Sequence, residues 1–363
     1  MSGTRKKKSA LSVSEGVEQP GSINQQAVDH LKKIKKKAYS SQQLLNGIRK
    51  GDISMLGQAI TLVESSLESH QKTAQELIAA CLPYSGNASR MGITGVPGAG
   101  KSTFIESLGK HILEEEGKLA VLAIDPSSER SRGSILGDKT RMEELAGSSR
   151  AYIRPSPSGG TLGGVARKTR ETIILCEAAG FDTIFVETVG VGQSETAVHS
   201  MVDFFLLVML AGAGDELQGI KRGIMEMADA IVINKADGNN VQRARRAQAE
   251  FANALHLFPP SLSGWVPRVL TCSSLYNKGI REIWEMAREY ADFVRGSGYL
   301  KEKRLEQSRY WMYETLRDGI YSQVFNDPAM KKELEIHEKA ISEGRITSFM
   351  AASSILNKYK SGN

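Results

Sequence analysis

The amino-acid sequence predicts an α/β fold in which a mostly parallel sheet is covered by helices on both faces. Short continuous apolar runs recur from residue 91 onward, helical patterns separate them, and the runs end in polar loops. Strands that are buried on both faces have this continuous pattern, whereas strands with one exposed face alternate. The predicted strands are 91–94, 119–124, 181–186, 204–210, 230–233 and 268–271.

Helical patterns flank the predicted sheet on both sides. Apolar residues recur at helical spacing from about Ser40 to Leu82, and again in three segments after about Tyr299. We therefore predict four parts of the chain. They are a basic disordered tail at 1–39, an N-terminal helical segment at 40–88, the α/β domain at 89–296 and a C-terminal helical arm at 297–363.

The composition is that of an ordinary soluble protein, with 40% hydrophobic and 24% charged residues. The net charge of +6 lies in the tail: residues 1–40 hold nine Lys or Arg against three Asp or Glu, which leaves 38 of each sign elsewhere. We interpret this tail as a solvated arm and expect no specific nucleic-acid partner. No apolar run is long enough for a membrane helix, and the three separated cysteines favour free thiols in the cytoplasm.

The strongest motif is a phosphate-binding loop. The residues Gly95, Val96, Pro97, Gly98, Ala99, Gly100, Lys101 and Ser102 satisfy G-x-x-x-x-G-K-[ST], and Thr103 follows them. The loop lies between a strand pattern and a helix pattern, so its backbone N–H groups and the helix N-terminus can surround phosphates. We expect Lys101 to neutralise the β- and γ-phosphates and Ser102 to reach Mg²⁺. The α/β domain is therefore predicted to be a P-loop NTPase.

A second motif indicates the base. Asn234, Lys235, Ala236 and Asp237 follow a predicted strand and match the guanine motif N-K-x-D. A carboxylate can accept hydrogen bonds from guanine N1–H and the exocyclic amine, which adenine cannot supply as a pair, and such recognition can discriminate by about 10⁴-fold. The tripeptide Cys272, Ser273 and Ser274 occupies the place where GTPases offer backbone N–H groups to guanine O6.

Acidic residues at two strand ends are candidates for the metal site. The segment 187–190 is similar to the D-x-x-G switch, with Glu187 in place of Asp, and Gly190 can offer its N–H to a γ-phosphate. Asp125 and Asp138 are further candidates for Mg²⁺. Because Mg²⁺ usually takes one or two protein carboxylates and keeps several waters, we expect at least one of the three acids to act indirectly.

Taken in order, the motifs resemble the MeaB/ArgK family of G3E-type P-loop GTPases, which includes the methylmalonic aciduria type A protein. They are G-V-P-G-A-G-K-S-T, I-D-P-S-S, S-I-L-G-D-K-T-R-M, I-R-P-S-P-S, V-E-T-V-G-V-G-Q-S-E, G-A-G-D-E-L-Q-G-I-K and N-K-A-D. The resemblance implies a GTP-hydrolysing chaperone of an adenosylcobalamin-dependent acyl-CoA mutase, such as methylmalonyl-CoA mutase. Such a chaperone gates cofactor loading and protects the mutase, and it meets adenosylcobalamin only through that partner.

The resemblance also implies three switches and a dimer. Residues 125–137 are similar to switch I, 187–195 to switch II and 212–221 to an additional switch III, and the C-terminal helices are similar to a dimerisation arm. A cytoplasmic homodimer without a membrane partner is therefore expected. The implied catalytic residues are Lys101, Glu187, Gly190, Gln193 and Lys221, and the charges of switch III are Asp215, Glu216 and Lys221.

The residue that follows Gly190 predicts the rate of GTP hydrolysis. Ras-like GTPases have a water-orienting glutamine there, whereas this chain has Val191, with Gln193 two residues further on. We expect slow hydrolysis alone and faster hydrolysis with a partner.

Two other functions remain open. One is a kinase or ATPase associated with amino-acid transport, although no catalytic base for a protein hydroxyl is evident. The other is a nickel-insertion GTPase, which usually has a histidine-rich tract or Cys/His ligands that this chain lacks.

Overall fold

The computed structural model describes residues 39–124, 142–155, 162–188, 194–212 and 222–361. By its contacts the chain divides into two units, Met1–Ser40 and Ser41–Asn363, and every element described below belongs to the second. The predicted disordered tail lies almost wholly outside the described residues. So do several predicted site residues, namely Asp125, Asp138, Gly190, Gln193, Asp215, Glu216 and Lys221. Their roles stay predictions.

In the described part of the chain, seven parallel strands form one sheet in the order β3-β2-β4-β1-β5-β6-β7. Every residue of β2, β4 and β6 is buried. The predicted α/β fold is confirmed, because continuous apolar runs fill strands that are covered on both faces. The strands are β1 (Ser89–Gly95), β2 (Leu119–Ile124), β3 (Ala151–Arg154), β4 (Thr183–Thr188), β5 (Phe204–Leu210), β6 (Ala230–Asn234) and β7 (Arg268–Thr271).

Strand β3 is one that the apolar-run pattern does not predict. Among the described strands it pairs only with β2, at the edge of the sheet, and Ile153 is its one buried residue. A short, half-covered edge strand therefore lacks the continuous apolar run that identifies the central strands. Strand β4 also ends two residues later than predicted, so Glu187 and Thr188 lie inside the strand.

Helices cover the sheet and extend the chain at both ends. The described helices are α1 (Ser41–Arg49), α2 (Ile53–Glu64), α3 (Glu68–Cys81), α4 (Lys101–Glu114), α5 (Glu143–Ala146), α6 (Leu162–Ala178), α7 (Ser194–His199), α8 (Arg222–Met227), α9 (Val241–Leu255), α10 (Ile280–Gly296), α11 (Tyr299–Asn326), α12 (Pro328–Ser342) and α13 (Ser348–Ser361). A core of apolar side chains joins β1, β5 and β6 to α4, α9 and α10, with Phe104, Phe251 and Tyr290 almost wholly buried. Among the described residues, no helix is long and apolar enough to cross a membrane.

The terminal helices are attached to the central domain by specific contacts. Helices α2 and α3 pack against α6, and Arg154 of β3 pairs with Glu64 at the end of α2. After α11 the chain turns at Asp327, whose side chain accepts hydrogen bonds from the backbone N–H groups of Ala329 and Met330. This N-cap, followed by proline at the first helical position, explains why α12 begins there.

Candidate functional site

The site lies at the edge of the sheet where the parallel strands have their carboxyl ends. There β1 continues into the segment 95–100, β4 ends with Glu187 and Thr188, and β6 ends with Asn234. The strand register places Ile93 beside Glu187 and Leu210 beside Asn234. Ligands of open α/β sheets bind at this edge.

Glycines allow the segment 95–100 to fold tightly over β5. Gly95 has φ 151°, and a Cβ atom there would lie 2.0 Å from the carbonyl oxygen of Val208. Gly98 and Gly100 have φ of 76° and 82°, in the left-handed region that side chains disfavour. Gly100 is the N-cap of α4, so the first-turn N–H groups of that helix point out of its N-terminus. Together these features form the predicted cradle for phosphate.

Lys101 lies over this segment. Its Nζ donates a hydrogen bond to the carbonyl oxygen of Gly95 at 2.9 Å, with Val96 O at 3.5 Å. Burial lowers the pKa of the ammonium, and the negative charges of Glu187 and Glu195 act in the opposite direction. The hydrogen bonds hold the Lys101 side chain where bound phosphate oxygens would replace its carbonyl partners.

Ser102 and Glu187 supply oxygens that fit a magnesium ion. The Ser102 hydroxyl lies 3.5 Å from Glu187 Oε1, and the Glu187 side chain is buried. Beside them, the hydroxyls of Thr94 and Thr188 are hydrogen-bonded at 2.8 Å and join the ends of β1 and β4. Among the described residues no group of three His, Cys, Asp or Glu could hold a metal. One carboxylate and one hydroxyl agree with the preference of Mg²⁺ for few protein ligands.

Asn234 connects the phosphate loop to the segment after β7. Its Nδ2 donates to Ala99 O at 2.8 Å, and its Oδ1 accepts from the backbone N–H and the hydroxyl of Ser274 at 3.1 and 2.9 Å. The thiol of Cys272 donates to the same Oδ1 at 3.3 Å. Asn234 is 2% exposed, so these bonds form away from water, where an unpaired amide would be costly.

Asp237 lies at the rim, half-buried, and is oriented by Ser273. The Ser273 hydroxyl donates to Asp237 Oδ2 at 2.5 Å. Lys235 adopts φ 58°, an unusual conformation for a lysine, and the N–H of Ala236 donates to Cys272 O at 2.9 Å. The turn therefore holds the Asp237 carboxylate beside the segment after β7.

The expectation that residues 272–274 contact the guanine base stays a prediction. Their backbone N–H groups donate to Ile233 O, Lys278 O and Asn234 Oδ1 respectively. In the structure, these N–H groups are engaged in hydrogen bonds within the protein. Cys272, Ser273 and Ser274 also hydrogen-bond to Asn234 and Asp237 through their side chains and backbone.

Two contributors had no predicted role of their own, although Glu195 belongs to the segment 187–195 that is similar to switch II. Glu195, in the first turn of α7, is 1% exposed and acts electrostatically on Lys101. It is the last residue of the motif V-E-T-V-G-V-G-Q-S-E, but nothing in the motif indicates its burial. Ser107 of α4 donates to Ser274 O at 2.6 Å and so links the helix after the phosphate loop to the guanine side. No sequence signal indicates this contact.

Comparisons with known proteins agree with this geometry. The sequence model of a family described as methylmalonyl Co-A mutase-associated GTPase MeaB matches residues 56–329. A probable GTPase of Mycobacterium tuberculosis is 50% identical over 86% of this chain and 93% of its own length. The mitochondrial methylmalonic aciduria type A homolog of Mus musculus is 44% identical over 88% of this chain and 79% of its own length. The crystal structure of an LAO/AO transport system kinase has a TM-score of 0.71 and 37% identity, over 88% of this chain and 97% of that one.

Proposed function

Because the chain belongs to the MeaB family of GTPases, we propose that it is a chaperone of an adenosylcobalamin-dependent acyl-CoA mutase. In this proposal GTP hydrolysis gates the loading of the cofactor and protects the mutase from inactivation. The observation that carries the proposal is the family match over residues 56–329, whose description names a mutase-associated GTPase. The phosphate-loop and guanine-site residues lie together at one edge of the sheet, which supports it.

The chain is a GTPase, and we assign its described residues to the parts of the nucleotide. The backbone N–H groups of residues 95–103, except that of Pro97, which has none, surround the β-phosphate, and Lys101 neutralises the β- and γ-phosphates. Asp237, oriented by Ser273, accepts hydrogen bonds from guanine N1–H and the exocyclic amine. Asn234 holds the two halves of the site together.

We assign a resident Mg²⁺ to Ser102 and Glu187, whose oxygens are hard donors at adjacent positions. Held by Ser102 and Glu187, the ion would supply positive charge that neutralises the negative charge developing during phosphoryl transfer. The hydroxyls of Thr94 and Thr188 hydrogen-bond across the ends of β1 and β4, next to the Glu187 carboxylate and the start of the phosphate loop.

We assign the C-terminal arm, α11 to α13, to homodimerisation. Large apolar side chains are exposed along it, among them Met312, Leu316, Ile320, Phe349 and Met350. Exposed apolar patches are characteristic of interaction sites. Sedimentation velocity of the full chain tests this assignment, and a monomer at micromolar concentration would contradict it.

We place the protein in the cytoplasm. Its three cysteines, Cys81, Cys176 and Cys272, are free and buried, as in proteins of reducing compartments. The mouse relative is named as mitochondrial, so fractionation of the native cell is the direct measurement.

A kinase or ATPase associated with amino-acid transport is the second candidate. The observation that favours it is the name of the structural relative with a TM-score of 0.71, a transport system kinase. This candidate requires transfer of the γ-phosphoryl group to a protein hydroxyl instead of to water.

One experiment separates the two functions. The protein is incubated with γ-labelled GTP and purified methylmalonyl-CoA mutase, and both free phosphate and labelled protein are counted. We expect the mutase to accelerate phosphate release, with no label on protein. Lys101→Met should abolish release, and Lys110→Met, on the same helix but paired with Glu144 away from the site, should not. Labelled protein, or release that no acyl-CoA mutase changes, would contradict the chaperone function.

A further inference from the structure

Ser107 of α4 makes a hydrogen bond that leaves its own helix. Its hydroxyl donates to Ser274 O at 2.6 Å, in the segment after β7, and both residues are buried. Serine and threonine hydroxyls inside helices often donate instead to a carbonyl oxygen of the preceding turn, as Thr169 does to Val165 O at 2.9 Å. Ser107 therefore connects α4, which begins at the phosphate loop, to the segment that follows β7.

Helix α4 is a firm support for this bond. The side chains of Phe104 and Leu108, on either side of Ser107 along the helix, are wholly buried. A Cβ atom at Gly109 would lie 2.7 Å from Leu119 Cδ2, so α4 lies in close contact with β2. This packing fixes the position of the Ser107 hydroxyl relative to the phosphate loop.

The segment 274–276 that receives the bond has little apolar packing of its own. Leu275 and Tyr276 are both more than half exposed. Ser274 is buried, its carbonyl oxygen accepts from α4, and its N–H and hydroxyl both donate to Asn234 Oδ1. The hydrogen bonds of Ser274 therefore attach this segment to α4 on one side and to the end of β6 on the other.

Two hydrogen-bonded routes connect this segment to the phosphate loop in the described part of the chain. One runs through Asn234, which donates to Ala99 O at 2.8 Å. The other runs from Ser274 O to Ser107 and back along α4 to the loop. Removal of the Ser107 hydroxyl interrupts the second route and takes a partner from a buried carbonyl group, which is costly.

We propose that Ser107 is a positioning residue for guanine recognition. By holding Ser274 it holds the neighbouring Ser273, whose hydroxyl donates to Asp237 Oδ2 at 2.5 Å. The proposal deepens the proposed function and rests on its assignment of Asp237 to guanine. Without the bond from α4, the Asp237 carboxylate is less preorganised, so more ordering has to accompany binding of the base.

Calorimetry with Mg²⁺ on the full chain compares a ligand that has a base with one that has none. In Ser107→Ala the affinity for GDP should fall about three- to tenfold, since one buried hydrogen bond is lost. The affinity for inorganic pyrophosphate should stay unchanged, because the phosphate loop keeps its own contacts. In steady-state hydrolysis the KM for GTP should rise while kcat stays the same.

Thr169→Ala is the matched control. It also removes a buried hydroxyl, but one whose hydrogen bond stays within α6. The affinities for GDP and for pyrophosphate should both equal those of the unmodified protein. Equal falls for GDP and pyrophosphate in Ser107→Ala would show a general loosening of the site and would overturn the proposal.

A double-mutant cycle tests whether Ser107 acts through Asp237. Asp237→Ala should lower the affinity for GDP and leave that for pyrophosphate unchanged. Adding Ser107→Ala should lower the GDP affinity no further, because the contact that Ser107 supports is already lost. Independent, multiplying losses in the double variant overturn the proposal.

The outcomes separate this proposal from the function on which it rests. If Asp237→Ala leaves GDP affinity unchanged, the assignment of Asp237 to guanine fails, and the role of Ser107 fails with it. If Asp237→Ala lowers GDP affinity and Ser107→Ala does not, only the role of Ser107 is refuted. No mutase takes part in these measurements, so their result is independent of the chaperone function.

Discussion

The Asn234 amide donates a hydrogen bond to the carbonyl oxygen of Ala99 across 2.8 Å, and so joins the guanine motif to the phosphate loop. The other end of the same amide accepts from Ser274. One buried side chain thus determines the distance between the base site and the phosphate site. A nucleotide that bridges the two sites binds to a preorganised pair.

The first prediction concerns Asn234→Asp. A carboxylate would face the carbonyl oxygen of Ala99 with no hydrogen to donate, and would be buried without charge compensation. We expect affinity for both GDP and GTP to fall at least tenfold, and the free energy of unfolding to fall by about 1–3 kcal/mol. Calorimetry and denaturant unfolding measure the two effects. Asn240→Asp, which loses an exposed bond to Lys235 O, is the control and should change stability by less than about 1 kcal/mol.

The second prediction concerns Gly95→Ala. The added Cβ would lie 2.0 Å from Val208 O at a φ that alanine disfavours, so the loop has to move away from β5. We expect nucleotide binding to be lost in calorimetry while the circular dichroism spectrum stays helical. Gly223→Ala, with open space around its Cβ, should bind normally. A Gly95→Ala protein that retains affinity would show that the loop tolerates displacement.

The third prediction concerns base choice. In Asp237→Asn the side-chain amide can donate to the carbonyl group that xanthine carries in place of the guanine amine. GTP affinity should therefore fall by two orders of magnitude or more while xanthosine triphosphate affinity rises. Ser273→Ala removes the hydrogen bond that orients Asp237. It should lower the affinity for GTP modestly without changing the preferred base. Equal ATP and GTP affinity in the unmodified protein would refute guanine recognition.

The fourth prediction concerns acid stability. Burial, and then the positive charge of Lys303, lower the pKa of His199 from 6.5 to about 4, and its ring contacts Phe205 edge-on. Between these two pH values the unfolded chain binds a proton that the folded chain does not, so stability falls as the pH falls from 6.5 to about 4. The loss attributable to His199 is about 2–3 kcal/mol. Urea unfolding at pH 7 and pH 4.5 should show that the free energy of unfolding falls less in His199→Gln than in the unmodified protein. His256→Gln, at an exposed position, is the control and should lose as much as the unmodified protein.

The fifth prediction follows from the sequence of switch III. Lys221→Ala should leave GDP affinity within a few-fold of normal and abolish most of the partner's stimulation of hydrolysis, because its charge is a candidate for contacts that depend on the γ-phosphate. Phosphate release with and without the mutase measures this. Full stimulation of the variant would show that switch III is not the coupling segment.

The sequence determined which chemistry this site can perform. It also determined the order of the central strands along the chain, although not their order across the sheet. Continuous apolar runs identified β2 and β5 to the residue, because such runs stay buried in any arrangement of a covered parallel sheet. The bounds of β7 also agree with the prediction, although Val269 is the one buried residue of that strand. The phosphate loop was likewise evident from Gly95 to Ser102, since the chemistry of cradling a phosphate requires those residues at adjacent positions in the chain.

Tertiary structure alone decided which distant residues meet. The burial of Glu195 within reach of Lys101's charge, and the bonds of Ser107 and Asn234 to Ser274, depend on the packing of α4, α7 and β6. Strand β3 formed because an edge position is available beside β2, although its own pattern is weak. Contacts between residues far apart in the chain leave no periodic pattern, since they depend on three-dimensional packing and not on local sequence.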